Sequence, residues 1–450
     1  MTSRFMKGFR AVFFAGVFFT GAGKLPAQTP GAGLVPPGHW VYDSLAYLSL
    51  EAGRTTLAVF APASKNELRV CLDAIPADRL GPVGTKLYRN ALSFLSTAEA
   101  RWTTGTARAD IQPEISLTLR RHTDQDALFD FDFIQDYNDT KPALSLPVFL
   151  GFGSYAAVFA GLDVQQGFWA STLSGNWVNV PLSADSVDMT VPSTANASLG
   201  NSSFNFSIGR GALSVGRTAG GSMILSDSAD RLNYAIASFF SPALRVALTT
   251  VELDTDRFLY YHDVSFRPLP FLSFIISESA SVHSSLDLRY LNPAMIYHSY
   301  AGWKDEYSTA EAGTSPVGTQ FALAAEAVPL RGLRLYGQFV MNQFQTSYEQ
   351  ENFGEEAAVI PNSLGGLAGA EYAREALDGI LTVSLEGIYT NPWLYIMENG
   401  DISYYWSRRD LVAPSGYTTR HINGWTGSPF GPDTIAALFT VGYDRPAEWG

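Results

Sequence analysis

The chain has 450 residues, 46% hydrophobic and 13% aromatic, with a mean hydropathy of +0.02 and a formal net charge of −13. That balance excludes a bundle of membrane helices, because no stretch after residue 24 approaches the ~18 uninterrupted apolar residues a spanning helix needs. The acidity argues against a nucleic-acid partner, and the single cysteine, Cys71, rules out an intrachain disulfide.

Residues 1–27 read as a secretory signal: Arg4, Lys7 and Arg10, then an apolar run from Ala11 to Thr20, then a small-residue exit at Leu25-Pro-Ala27. Its removal takes away four cations (with Lys24) and no acid, leaving 26 basic against 43 acidic residues, a net charge of −17. Residues 28–105 carry a helical period. Val41, Leu45 and Leu48 stand at i, i+4, i+7; Leu68, Cys71, Leu72 and Ile75 and then Tyr88, Ala91, Leu92 and Leu95 stand at i, i+3, i+4, i+7. Three short amphipathic helices are expected, the second opened by a Ser64–Glu67 capping box, with Cys71 as a packed thiol on its apolar stripe.

From residue 106 the period changes to two. In Phe258 to Glu278, Phe258, Tyr260, Val264 and Phe266 alternate with Tyr261, Asp263, Ser265 and Arg267; after a proline turn, Leu272, Phe274 and Ile276 alternate with Ser273 and Ser277. The pattern recurs at Leu333, Leu335, Phe339 and Met341, and shorter stretches show it at Ile115–Leu119, Phe129–Phe133, Phe204–Ile208, Leu381–Leu385 and Ile435–Val441. The longer arms hold register for about 9 to 11 residues, the length of a tilted transmembrane strand rather than the ~5 to 6 of a soluble one. Short turns at Ser241-Pro-Ala, Arg267-Pro-Leu-Pro and Val328-Pro-Leu-Arg-Gly contrast with long polar connections at 165–203, 304–319, 345–363 and 398–424. Together these predict an all-β transmembrane barrel over residues 106–450, with about 18 antiparallel strands and a small periplasmic helical bundle ahead of it. The final Tyr443-Asp-Arg-Pro-Ala-Glu-Trp-Gly450 reads as a turn after a strand, so the barrel is expected to lack its last strand or strands.

No constellation for catalysis, metal or cofactor emerges. Gly211-Ala-Leu-Ser-Val-Gly-Arg-Thr218 has P-loop spacing with Arg in place of Lys, but Ala219-Gly-Gly-Ser222 starts a helix poorly, so a glycine-rich bend is expected. The histidines at 39, 122, 262, 283, 298 and 421 show no metal-ligand spacing. Arg210, Arg217 and Asp227, with Arg289 and Asn292 beside an Asn-Pro bend, are candidates for a charge network inside the lumen. Trp393, Tyr404, Tyr405, Trp406, Arg408, Arg409 and Trp425 form an aromatic and basic cluster suited to stacking on sugar rings and chelating uronic carboxylates. Part of that cluster is equally expected of an interfacial aromatic girdle.

Two resemblances follow. Gly38-His-Trp-Val-Tyr-Asp43 with Leu48, Gly53, Phe60, Pro62 and Glu67 resembles one S-layer homology motif, which implies docking to a cell-wall polymer; a plain helical cap on the periplasmic mouth is the alternative. Ile208-Gly-Arg-Gly-Ala-Leu-Ser-Val-Gly-Arg-Thr218, Ile224-Leu-Ser-Asp227, Leu288-Arg-Tyr-Leu-Asn-Pro-Ala-Met295 and Gly427-Ser-Pro-Phe-Gly-Pro-Asp433 together resemble the capsule assembly Wzi family of outer-membrane barrels. The resemblance implies an 18-stranded barrel in the outer membrane, bound to surface or capsular polysaccharide, with no catalysis and no cofactor. A general diffusion porin is the competing expectation; the density of inward Arg, Asp and Tyr favours a blocked lumen.

Overall fold

The computed structural model describes residues 31–96, 102–104, 106–121, 141–167, 176–188, 192–229, 231–299, 317–344, 361–397, 399–413 and 418–445. The leader at 1–27 and the Phe129–Phe133 alternation lie outside these residues.

Three helices come first: α1 (Trp40–Glu51), α2 (Lys65–Asp73) and α3 (Pro82–Ser96). Their apolar stripes meet in one core that includes Val41, Leu45, Leu48, Leu68, Leu72, Leu87, Ala91 and Leu95. The His39 ring accepts from Val41 N at 3.3 Å to cap α1, and Ser64 Oγ accepts from Glu67 N at 3.1 Å to cap α2. The reciprocal half of the expected capping box is not made: the Glu67 carboxylate turns away to Arg245 at 2.8 Å. Cys71 packs against the same core, and burial pushes its thiol up to about 12.

Most of the rest is one antiparallel sheet of sixteen strands among the described residues, fewer than the ~18 expected, with four small two-stranded pairings apart from it. Fifteen form an unbroken path from Trp102–Thr104 at one edge to Thr434–Asp444 at the other; Glu114–Ile115 pairs off that path with Leu144–Phe152. In the second half the strands are long, for example Leu244–Asp254, Arg257–Leu269, Leu272–His283, Val317–Leu330, Leu333–Gln343, Ser363–Ala376 and Gly379–Thr390. Alternation divides their side chains as the sequence implies: Asp263 and Ser265 are buried on the inner face while Val264 and Ile276 stay exposed on the outer one.

Connections of two or three residues, such as 201–203, 241–243, 270–271, 331–332 and 377–378, share one rim. At the opposite rim the strands end in longer connections, numbered 165–194, 212–231, 284–316, 344–362 and 391–433, and in a tight turn at Thr255–Asp256. The polar stretch expected as a loop from 165 to 203 is therefore partly wall: Ala195–Gly200 is a sheet strand, and Asn196 is buried on its inner face. Small residues (Ala, Asn, Ser, Gly) disguise that strand because they lack the β-branched side chains that mark pleated sheet.

The sheet curls around segments from both rims. The helical cap docks on the short-turn rim, where Thr55 N donates to Pro270 O at 2.9 Å and Gly332 N to Leu50 O at 3.1 Å. Its Phe60–Ala61 strand pairs inside with Ser214–Val215 of the glycine-rich stretch. Cap and wall are joined by a buried triad: Arg245 Nε lies 2.8 Å from Glu67 Oε1, and Arg245 Nη1 lies 2.8 Å from both Asp263 oxygens. Phe60 stacks under the same guanidinium at 4.1 Å. Burial holds the Glu67 carboxyl above its ordinary value, and the guanidinium offsets that only in part. Arg245→Ala strands two buried carboxylates and is expected to cost about 3–5 kcal/mol. Limited proteolysis should then release residues 31–96 while the sheet keeps its folded gel mobility; a cap as resistant as in the parent would contradict the triad's role.

Candidate functional site

Of the five residues expected in the interior charge network, Arg217 is there. Its Nη1 lies 2.6 Å from Glu371 Oε2, and its Nε 3.5 Å from Asp43 of α1. The network's other members were not singled out from sequence. Arg334 reaches Glu326 at 2.7 Å and Glu371 at 3.3 Å, and donates to the Arg217 carbonyl at 2.6 Å. The signal was available, since Arg334 alternates against Leu333 and Leu335 on the polar face of its strand.

The glycine-rich stretch threads this interior as a strap. Ala219 N and Gly220 N each donate to Glu386 at 2.8 Å, and Tyr336 Oη donates to the same carboxylate at 2.7 Å. Backbone N–H groups just past the P-loop-like spacing thus hold an anion, and that anion is the wall's own carboxylate. Gly216, at φ +88, and Gly221, at φ +90, take turns that other residues resist, and a Cβ at Gly220 would meet Ile388, Glu386 and Leu438. Gln338 completes the fit by accepting from Met223 N at 2.8 Å.

The remaining expected network members lie elsewhere. Arg210 shares the outward register of Ile208 and bonds the Arg231 carbonyl at 3.1 Å. Asp227 is exposed beside Ser226. Arg289 pairs with Asp287 at 2.6 Å, and Asn292 caps the next turn; both belong to a segment folded over the outer face of the sheet. They fall outside because an Asn-Pro bend specifies a turn but not the side of the sheet it folds toward.

The aromatic cluster divides in the same way. Tyr404 and Trp406 are buried at 1% and 3% exposure within the interior core, together with Leu213, Met223, Leu225, Leu394 and Tyr395. Tyr404 Oη lies 3.0 Å from Ser279 O and 3.1 Å from Gly318 O, and Tyr395 Oη donates to Met223 O at 2.7 Å. These rings are a stopper seated from the long-loop rim, and Tyr404 is withdrawn from any exposed ligand surface. Trp393 is half-exposed on a separate turn, its carbonyl accepting from Ser363.

Tyr405 and Trp425 face each other across a hairpin, Tyr405–Ala413 with Thr418–Trp425, and line an open cleft of about 510 Å³ with Trp406, Asn423, Ser228 and Pro429. Arg257 lies 3.9 Å over the Tyr405 ring and donates to the Tyr405 carbonyl, which anchors the hairpin to the tight turn at the rim. Arg408 and Arg409 follow on the same strand, in register with Ile422 and His421. Two aromatic faces with an exposed amide beside them suit the C–H faces and hydroxyls of a sugar. Of the S-layer-like residues, Leu48 is buried in the cap's own core, while Phe60 and Glu67 are buried where the cap meets the wall and strap.

With this geometry in view, the fold has a solved counterpart. The chain is similar to Wzi, an outer membrane protein involved in group 1 capsule assembly in Escherichia coli and a carbohydrate-binding β-barrel, with a TM-score of 0.55 and 13% identity over 92% of this chain and 82% of that one. A BenF-like porin from Pseudomonas fluorescens Pf-5 is more distant, with a TM-score of 0.34 and 11% identity over 75% of this chain and 83% of that one. No protein-family model and no curated protein matches the chain. The likeness to Wzi establishes the β-barrel fold.

Glu386→Ala would leave two strap N–H groups and a phenol without their acceptor, at about 1–3 kcal/mol each. Amide exchange at Ala219 and Gly220 should accelerate selectively, with the sheet's own amides unchanged. Equal protection in the variant would show that the strap is held by something other than this carboxylate.

Proposed function

We propose that this chain is an outer-membrane barrel with a closed lumen, exported by residues 1–27, which binds surface or capsular polysaccharide at its long-loop mouth without catalysing any reaction. The observation that carries this reading is the packed interior combined with the Tyr405–Trp425 cleft at the mouth. A diffusion porin needs an open aqueous path, and the closed reading is supported by the buried clusters that the cap, the strap and the stopper residues form against the wall among the described residues.

The membrane part of the reading rests on the outer face. Val264, Ile276, Leu323 and Phe339 form one apolar row across four strands, each about 40% exposed, and Phe206, Ile208 and Phe239 continue the apolar surface on the earlier strands. Exposed Phe271, Tyr372 and Tyr443 lie toward the short-turn rim and Phe344 and Tyr389 toward the other, the arrangement of interfacial girdles. The helical cap then faces the periplasm, and the hairpin faces outward. The carbohydrate binding of Wzi supports the polysaccharide assignment.

With a mature charge of −17, an anionic polymer needs a local cationic island, and the sequence supplies Arg408 and Arg409 three and four residues beyond Tyr405. Replacing Tyr405 and Trp425 by Ala together should weaken binding of purified cell-surface polysaccharide roughly thirty-fold, at ~1 kcal/mol per stacked ring. Arg408→Ala with Arg409→Ala should weaken it in a salt-dependent way, and Trp393→Ala should leave it unchanged. Correctly folded double variants that bind as the parent does would overturn the site.

A further inference from the structure

The segment after Leu272–His283 does not fold into the mouth. Residues 285–298 turn back over the outer face of the sheet as a flap. Tyr290 stacks on Tyr260 at 4.9 Å and Tyr297 on His262 at 4.4 Å, and both flap tyrosines are fully buried against outward-facing Ala280, Val282 and Val317. Glu278 staples the flap from the wall: its carboxylate accepts from Tyr297 N at 2.8 Å and from His298 N at 2.6 Å, and lies 3.4 Å from His262. Asp287 N donates to Tyr260 Oη at 2.8 Å. An irregular segment at the edge of a bilayer has to have its backbone groups satisfied, and this wall supplies partners for them.

His262 and Glu278 are polar residues set beside apolar ones on the outer face. His262 and Glu278 stand in one cross-strand row with Phe321 and Met341, one step above Val264 and Ile276. Below the flap's lip, formed by Pro293, Ile296 and His298, that row and the next enclose an open groove of about 450 Å³. The groove is apolar along its floor and continuous with the exposed apolar belt. The flap's own outer surface is apolar too: Leu286, Leu288 and Ile296 are 53%, 75% and 64% exposed. In water such a surface would be costly, but at the upper boundary of a bilayer it is ordinary.

We propose that this groove holds one acyl chain of a bilayer lipid, lying on Val264, Ile276 and Phe321 with its head-group end at the flap's His298. The groove opens onto the same belt the bilayer would cover, so its occupant reaches it without leaving the hydrocarbon phase. The inference rests on the membrane reading above and concerns a surface remote from the polysaccharide cleft.

The test uses the full chain in phospholipid nanodiscs containing a phosphatidylcholine with a mid-chain diazirine; after irradiation, the label is mapped by peptide mass spectrometry. Peptides carrying Pro293–His298, Phe321 and Met341 should take up at least five-fold more label than the belt peptides around Phe206 and Phe239. Met341→Trp, or Val246→Phe if the first fails to fold, fills the groove and should bring its label down to the belt level. Equal labelling of groove and belt in the parent chain, or preferential groove labelling that survives filling, would overturn the groove and leave the membrane reading intact. Absence of label from both groove and belt would overturn the membrane reading itself.

Discussion

A guanidinium taken out of water between two carboxylates is the contact on which the rest of this molecule depends. Arg245 belongs to the wall, Asp263 to the neighbouring strand and Glu67 to a cap helix, and none of the three charges is tolerable where it sits without the others. Their juxtaposition fixes the cap on the short-turn rim. Because Phe60 of the cap packs under the same guanidinium, the cap's inward strand is fixed as well. That strand pairs with Ser214–Val215 and so sets where the strap enters the interior. The packing of cap and strap against the wall is in this sense a chain of pairings that begins at one buried ion triad.

The strap and stopper obey the same requirement by other means. Neither has regular structure over most of its length, so wall side chains satisfy its backbone: Glu386 for Ala219 and Gly220, Gln338 for Met223, and Asn342 for Tyr395 N at 3.0 Å. These three polar inward side chains, of the kind that would line water in a channel, here bond inserted chain. The outer face shows the complementary case, where Glu278 and His262 break an apolar row and are used up on the flap.

The fold was largely legible because both of its periods are strong. The i, i+3, i+4, i+7 stripes of 40–96 and the two-residue alternation after 250 are local signals, and each corresponds to the element expected. The alternation also assigned Asp263, Ser265 and Arg267 to one face and Val264 and Phe266 to the other. What local pattern does not carry is the direction in which a long connection folds. Arg289 and Asn292 sit outside rather than inside for that reason, although outward Glu278 and His262 were visible as interruptions of the apolar row. Tyr404 and Trp406 illustrate the same point from the other side. A run of aromatics is equally a sugar platform and a core, and only the packing of Met223, Leu394 and Tyr395 around them decides it. Tyr405 and Trp425, one residue away from these in sequence or across the hairpin, are left lining the cleft.

The central claim is that the interior is closed by the chain itself, and electrical recording in planar bilayers tests it most directly. The purified full chain, inserted from detergent, is predicted to give no steady single-channel conductance at neutral pH. Large, long-lived conductance steps from the intact chain, of the kind a diffusion porin produces, would contradict the account.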